Sequence, residues 1–233
     1  MLQLSDNAKN IYDLVFTREF SLELLKNELA SGEYTADDIS AAGYRYVYDC
    51  CFLDFNDGRQ KPRRKRGTLL QGYCSSHMLE ALKCLLDYGL DPNALYGEPG
   101  EQGNIMSELR YVENGYLAAD SLALLLDHGG NPSIKINGVA LVRDVNMDFD
   151  FGLNEQIDRT SYDALVHYWM VLVGYGAKLE DGRESIDMCP GHDVSELKKH
   201  RDFYYGAIHS HGVDYHMEIC IFSKHTNWEI GRY

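Results

Sequence analysis

Four times along this chain an apolar stretch with helical spacing runs into a glycine, and that recurrence constrains the fold more than any other feature. The glycines are Gly32, Gly89, Gly129 and Gly176. The two central copies read CLLDYGLDPN over residues 84–93 and LLLDHGGNP over 124–132. A third reads YWMVLVGYGAKL over 168–179, and a weaker one, LELLKNELASG, comes first over 22–32. Within each copy apolar residues fall at helical intervals: Leu22, Leu25 and Leu29; Leu79, Leu82 and Leu86; Ala118, Leu122, Leu125 and Leu126; Leu165, Trp169, Leu172 and Val173. That spacing makes one buried face per helix. Glycine then adopts the left-handed conformation that closes a helix C-terminus. Pro92 and Pro132 prevent the helix from continuing, and Asn93 and Asn131 suit the adjoining turn. Internal repetition of a unit that hides one face implies stacking of like units.

Residues 84–93 and 124–132 resemble the second helix and exit turn of an ankyrin repeat, and Gly176-Ala177 matches the glycine-alanine pair common in that turn. The resemblance spans about residues 10–182. It implies antiparallel helix pairs stacked into a curved solenoid, with finger loops along one edge and a protein-binding role. The threonine-proline-leucine-histidine opening of the first helix is missing. The intervals between successive glycines, 57, 40 and 47 residues, depart from the usual 33. The expected fold is therefore mainly α: an ankyrin-like α-solenoid of about four degenerate helix-pair repeats over residues 1–193. First helices are expected over 39–55, opened by a capping arrangement at Thr35 to Asp38, and over 105–112, paired with a helix starting near Leu117. A cap at Thr160 to Asp163 is expected for the helix that holds Trp169.

Residues 194–233 change character. A short helix is expected over 194–204, followed by strands over 215–222 and 227–233 that read as a β-hairpin. A lone hairpin is marginally stable, so this unit is expected to pack on the last repeat. The tail is similar to that of some bacterial ankyrin-like proteins of unknown role.

Charge narrows the function classes. The 233 residues carry 36 acids against 22 Lys and Arg, a formal charge of −14. Nucleic acid and anionic membranes require positive charge to release counterions, so neither is expected as a partner. An acidic surface speeds encounter with a basic protein. The start of the chain lacks the basic-then-apolar pattern of a secretory signal, and no stretch has the ~18 apolar residues that span a bilayer. Six cysteines without a C-x-x-C pair suggest reduced thiols. The expectation is a cytoplasmic protein. Residues 59–66 hold six basic side chains in this acidic background. They read either as a solvated loop or as a basic recognition patch.

A search for chemistry yields no phosphate loop, H-E-x-x-H or G-x-S-x-G. His209, His211 and His216, and the Cys189/His192/Asp193 group, offer metal-ligating types without paired cysteines to complete a zinc site. Asp148-Phe-Asp150-Phe would place two carboxylates on one face of an extended segment. That arrangement reads as an acidic finger loop more readily than as a catalytic pair. No catalytic residue, metal or cofactor is assigned.

The leading expectation is thus a protein-interaction scaffold with a basic protein partner. An antitoxin- or immunity-type inhibitor of a basic toxin is one specific form of it. Tyrosine, present 17 times, supplies rigid amphipathic contact area. Tyr44, Tyr46, Tyr48, Tyr96, Tyr111 and Tyr116 lie in or beside the first helices and loops where a concave face forms. The partner-binding candidates are Tyr44, Tyr48, Tyr96, Tyr111, Asp144, Asp148, Asp150 and Glu155. The alternative is a hydrolytic or metal-dependent enzyme with its site between the repeats and the C-terminal β unit, using His192, His209 or His211 with Asp148 or Asp150.

Overall fold

The computed structural model describes residues 2–51, 76–112, 115–144, 168–169, 171–172 and 174–178. Within them the chain is mainly helical, with two small antiparallel sheets. Six helices run in order as α1 (Asp6–Val15), α2 (Leu22–Ala30), α3 (Ala36–Cys51), α4 (Met78–Asp87), α5 (Ile105–Leu109) and α6 (Gly115–Asp127). Strands β1 (Leu95–Tyr96) and β2 (Gly103–Asn104) lie between α4 and α5. Strands β3 (Lys135–Ile136) and β4 (Val139–Ala140) follow α6. A further helical turn occupies residues 141–144, and helical residues recur at 168–169, 171–172 and 174.

Side-chain caps start most of these helices. Ser5 Oγ accepts from Ala8 N at 3.0 Å, and Ser21 Oγ accepts from Leu24 N at 3.3 Å. Such caps satisfy amides that the first turn leaves without carbonyl partners. Thr35 and Asp38 cap reciprocally: each backbone amide donates to the other's side chain at 3.1 Å. Ser5 Oγ also donates to Asp38 Oδ1 at 2.6 Å, fastening the start of α1 to that of α3. Asn104 and Ser107 form a capping box at α5. The expected first helices are therefore present with shifted ends. The first begins at residue 36 rather than 39, and the second stops at Leu109 and turns through residue 111.

All four repeat glycines take positive φ: +76° at Gly32, +108° at Gly89, +92° at Gly129 and +78° at Gly176. After the last three, the next residue donates to the carbonyl five positions back. The bonds are Leu90 to Leu85 at 2.9 Å, Gly130 to Leu125 at 3.0 Å, and Ala177 to Leu172 at 3.0 Å. This is the six-to-one closure of a Schellman turn. The turns continue alike: Asn93 N donates to Asp91 Oδ1 at 2.8 Å, and Ser133 N to Asn131 Oδ1 at 2.9 Å.

The helices pack in two rows. Helix α3 contacts both α1 and α5, while α4 contacts both α2 and α6. Rungs join the rows at α1–α2, α3–α4 and α5–α6. The core is one contiguous cluster running through Ile11, Leu25, Tyr46, Leu82, Met106, Leu122 and Leu172. Leu85 is fully buried where Leu79 is only half-buried, so the inward face of α4 is rotated slightly from the spacing read in the sequence. Cys50 and Cys84 are buried in this core.

Polar latches tie successive turns together. Asn93 Nδ2 donates to the Gly129 carbonyl at 3.0 Å, and Asn93 Oδ1 accepts from Asn131 N at 2.7 Å. Gln102 and Asn137 clasp the two hairpins through a pair of 3.0 Å bonds. Ser133 Oγ accepts from Lys178 N at 2.8 Å. Asn137 (φ +52°) and Gly138 (φ +83°) turn β3 into β4, the asparagine-glycine pairing that fits a two-residue hairpin.

The expected tail hairpin, the basic stretch 59–66, the histidine and cysteine groups from residue 189 onward, and Asp148, Asp150 and Glu155 lie outside the described residues.

Candidate functional site

Five of the eight binding candidates, Tyr44, Tyr48, Tyr96, Tyr111 and Asp144, fall on described residues. Tyr44 and Tyr48 sit one turn apart on α3, a spacing that puts both on one face. Their ring centroids are 6.2 Å apart. Tyr96 arrives from strand β1 and stacks on Tyr44 at 4.5 Å with an interplanar angle of 22°. An offset stack at that separation suits the ring quadrupoles. Tyr46, on the same helix, points the other way. It is fully buried and packs edge-on to Phe16, so it belongs to the core and not to the candidate face.

Charged groups surround the rings. The Arg45 guanidinium lies 5.8 Å from the Tyr48 centroid. Its Nε donates to Asp49 Oδ2 at 2.6 Å, and the Tyr12 hydroxyl donates to the same oxygen at 2.8 Å. Burial, then the Asp49 contact, raises the Tyr12 phenol well above its usual value. Leu2, Tyr44, Arg45, Tyr48, Tyr96, Gly97 and Glu101 line a cavity of about 160 Å³.

Glu108 lies behind Tyr44. A Cβ built on Gly103 would fall 2.5 Å from Tyr44 Oη and 2.8 Å from Glu108 Oε1, so glycine at this point in β2 makes room for both groups. Burial pushes the Glu108 carboxyl up to about 7, against the opposing pull of Arg110 and of the Ser107 hydroxyl. Burial also raises Tyr44, with Glu108 adding to the effect, and pushes Tyr96 up to about 12. These phenols stay protonated at neutral pH. Tyr44 is itself buried in the core, and the half-buried Tyr48 and Tyr96 are the rings that reach the surface, as neutral hydroxyl-bearing groups rather than charges.

The remaining two candidates join from the far side of Glu108. Arg110 donates to Asp144 and to the Tyr111 hydroxyl, and its guanidinium stands 4.6 Å from the Tyr111 ring centroid. Tyr168 donates to the Met106 carbonyl and lies within electrostatic reach of Arg110, Glu108 and Tyr111. A continuous thread of aromatic and charged side chains thus links α3, the first hairpin, α5 and residues 141–144. Sequence reasoning found its tyrosines and missed Arg45, Asp49, Gly103, Glu108 and Arg110. The available signal was the charge standing inside otherwise apolar runs, Arg45 and Asp49 among 44–51 and Glu108 among 105–112. Among the described residues, no group of three histidine, cysteine or acidic side chains is placed to hold a metal ion.

No protein-family model, curated protein or solved structure matches this chain. The reading of the site rests on its own residues. It offers stacked rings, a shallow cavity and a surplus of carboxylates, which suit recognition of a cationic or amphipathic surface.

Proposed function

We propose that this chain is an ankyrin-like solenoid of about four helix-pair units that binds a protein with a basic surface. The observation that carries the reading is the Tyr44–Tyr48–Tyr96 cluster, continued through Glu108 to Arg110, Tyr111 and Asp144 along the α1–α3–α5 row. Four glycine-closed helix ends, two rows of helices and latched exit turns support the solenoid. A cavity of about 160 Å³ is smaller than the roughly 300–1,000 Å³ of small-molecule sites, which favours a macromolecular contact. The charge of −14 supports a basic partner.

Affinity capture with the whole chain at low and high salt tests this. The expected result is a basic protein that is released by salt and that, once purified, binds a Tyr48→Ala chain at least about fivefold more weakly, as expected for an aromatic interface anchor. A captured protein whose affinity is indifferent to both salt and Tyr48→Ala would remove the reading.

A further inference from the structure

We propose that the cavity between Tyr44, Tyr48 and Tyr96 receives a single lysine side chain of the partner. The inference deepens the binding role proposed above and rests on it. Three tyrosine rings meet from two elements, with centroids 4.5 Å and 6.2 Å apart around Tyr44. Leu2 and Gly97 complete an apolar wall, and Glu101 stands at the exposed rim. An aliphatic stem fits against rings and leucine while its ammonium seeks ring faces and a carboxylate. At about 160 Å³ the space is on the scale of one side chain.

The local charge favours a cation. The carboxylate of Glu101 lines the cavity, and that of Asp49 adjoins it through Arg45. Arg45 is itself in the wall, but its Nε bond to Asp49 at 2.6 Å offsets its charge where a guest would sit. An anion such as phosphate would meet the Glu101 carboxylate. Lysine suits the space better than arginine, because a compact ammonium on a slender stem does not require the broad planar slot of a guanidinium.

The test titrates the whole chain with an oligolysine peptide, with the same peptide acetylated on every lysine, and with inorganic phosphate. Tyrosine ring resonances are followed by NMR. Oligolysine is expected to shift the rings of Tyr44, Tyr48 and Tyr96, and the acetylated peptide and phosphate to leave them unmoved. Affinity should fall about tenfold in Tyr96→Ala, two- to threefold in Glu101→Gln, and less than twofold in Tyr96→Phe, which keeps the ring. Circular dichroism of each variant separates a lost site from a lost fold. Because Glu101 is exposed, Glu101→Gln leaves the fold intact and decides the matter by itself if Tyr96→Ala unfolds: unchanged affinity in Glu101→Gln then overturns the pocket.

Equal binding of the acetylated peptide, movement of the rings by phosphate, or unchanged affinity in Tyr96→Ala and Glu101→Gln would each overturn the lysine pocket. So would an absence of oligolysine binding. In those cases a captured partner that still discriminates Tyr48→Ala would leave the broader binding role standing.

Discussion

At the scale of single residues, two carboxyls among the described residues stand in places that disfavour their charge. Burial pushes both Glu108 and Asp120 up to about 7. Groups around Glu108 include Tyr44 and Tyr48 on α3, Ser107 and Arg110 beside it, and Tyr168 beyond. An acid whose folded pKa exceeds its unfolded value binds more protons when folded. Stability is then greatest below the unfolded pKa, near 4.5 for Glu108, and declines as pH rises to about 7 before levelling off. For Glu108 the span is on the order of 3 kcal/mol. Glu108→Gln keeps the shape and removes the charge. It should raise stability at pH 8 by about 1–3 kcal/mol and flatten this stretch of the pH profile. Urea unfolding at pH 5 and pH 8 measures both, and an unchanged slope in the variant would show that Glu108 is not the group responsible.

At the scale of elements, the helix ends were the most legible part of the sequence. Gly89 and Gly129 sit at φ +108° and +92°, a region that costs a residue with a Cβ roughly 1–2 kcal/mol. Nothing lies within 4 Å of a Cβ built on Gly129, so the backbone term stands alone there. Gly129→Ala should destabilise the chain by about 1 kcal/mol and Gly129→Asn by less, because asparagine tolerates this conformation. Denaturant midpoints check the ranking, and equal losses would mean that the turn relaxes. The Thr35–Asp38 cap and the α5–α6 pairing were also legible, since each rests on local chemistry. Helix α1 went unread although Ser5, Ala8, Ile11 and Val15 carried a cap and an apolar stripe. It lacks the terminal glycine that singled out the other copies. The hairpins went unread because strands of two residues are too short to display alternation. In the candidate site, tyrosine identity pointed to the ring cluster. Its organising charges, Glu108 and Arg45, depend on which elements meet in space, and one sequence does not encode that locally.

At the scale of the whole molecule, the principal helix contacts run between neighbours in two rows, so the chain's cooperativity depends on its seams. The seam between the second and third rungs combines apolar contacts of α3 with α5 and of α4 with α6 with the Asn93 and Asn137 latches. Each of those hydrogen bonds contributes about 0.5–1.5 kcal/mol net. In stacked repeats such interface terms are what compel neighbouring units to unfold together. Removing both asparagines as Asn93→Ala and Asn137→Gly, glycine being at ease at the φ of +52° that Asn137 adopts, takes away four bonds from this one seam and none from within the helices. The apolar contacts remain, so the chain should still fold. The rungs beyond the seam should then unfold at lower urea than those before it. Trp169 lies beyond the seam, and in a Trp228→Phe background it is the sole tryptophan. With both asparagines present, its fluorescence should follow the same urea transition as far-UV circular dichroism. In the doubly substituted chain the fluorescence transition should come first and the dichroism transition should broaden. Transitions that stay superimposed would mean that the apolar contacts alone couple the rungs and that the polar latches set only the register of the turns.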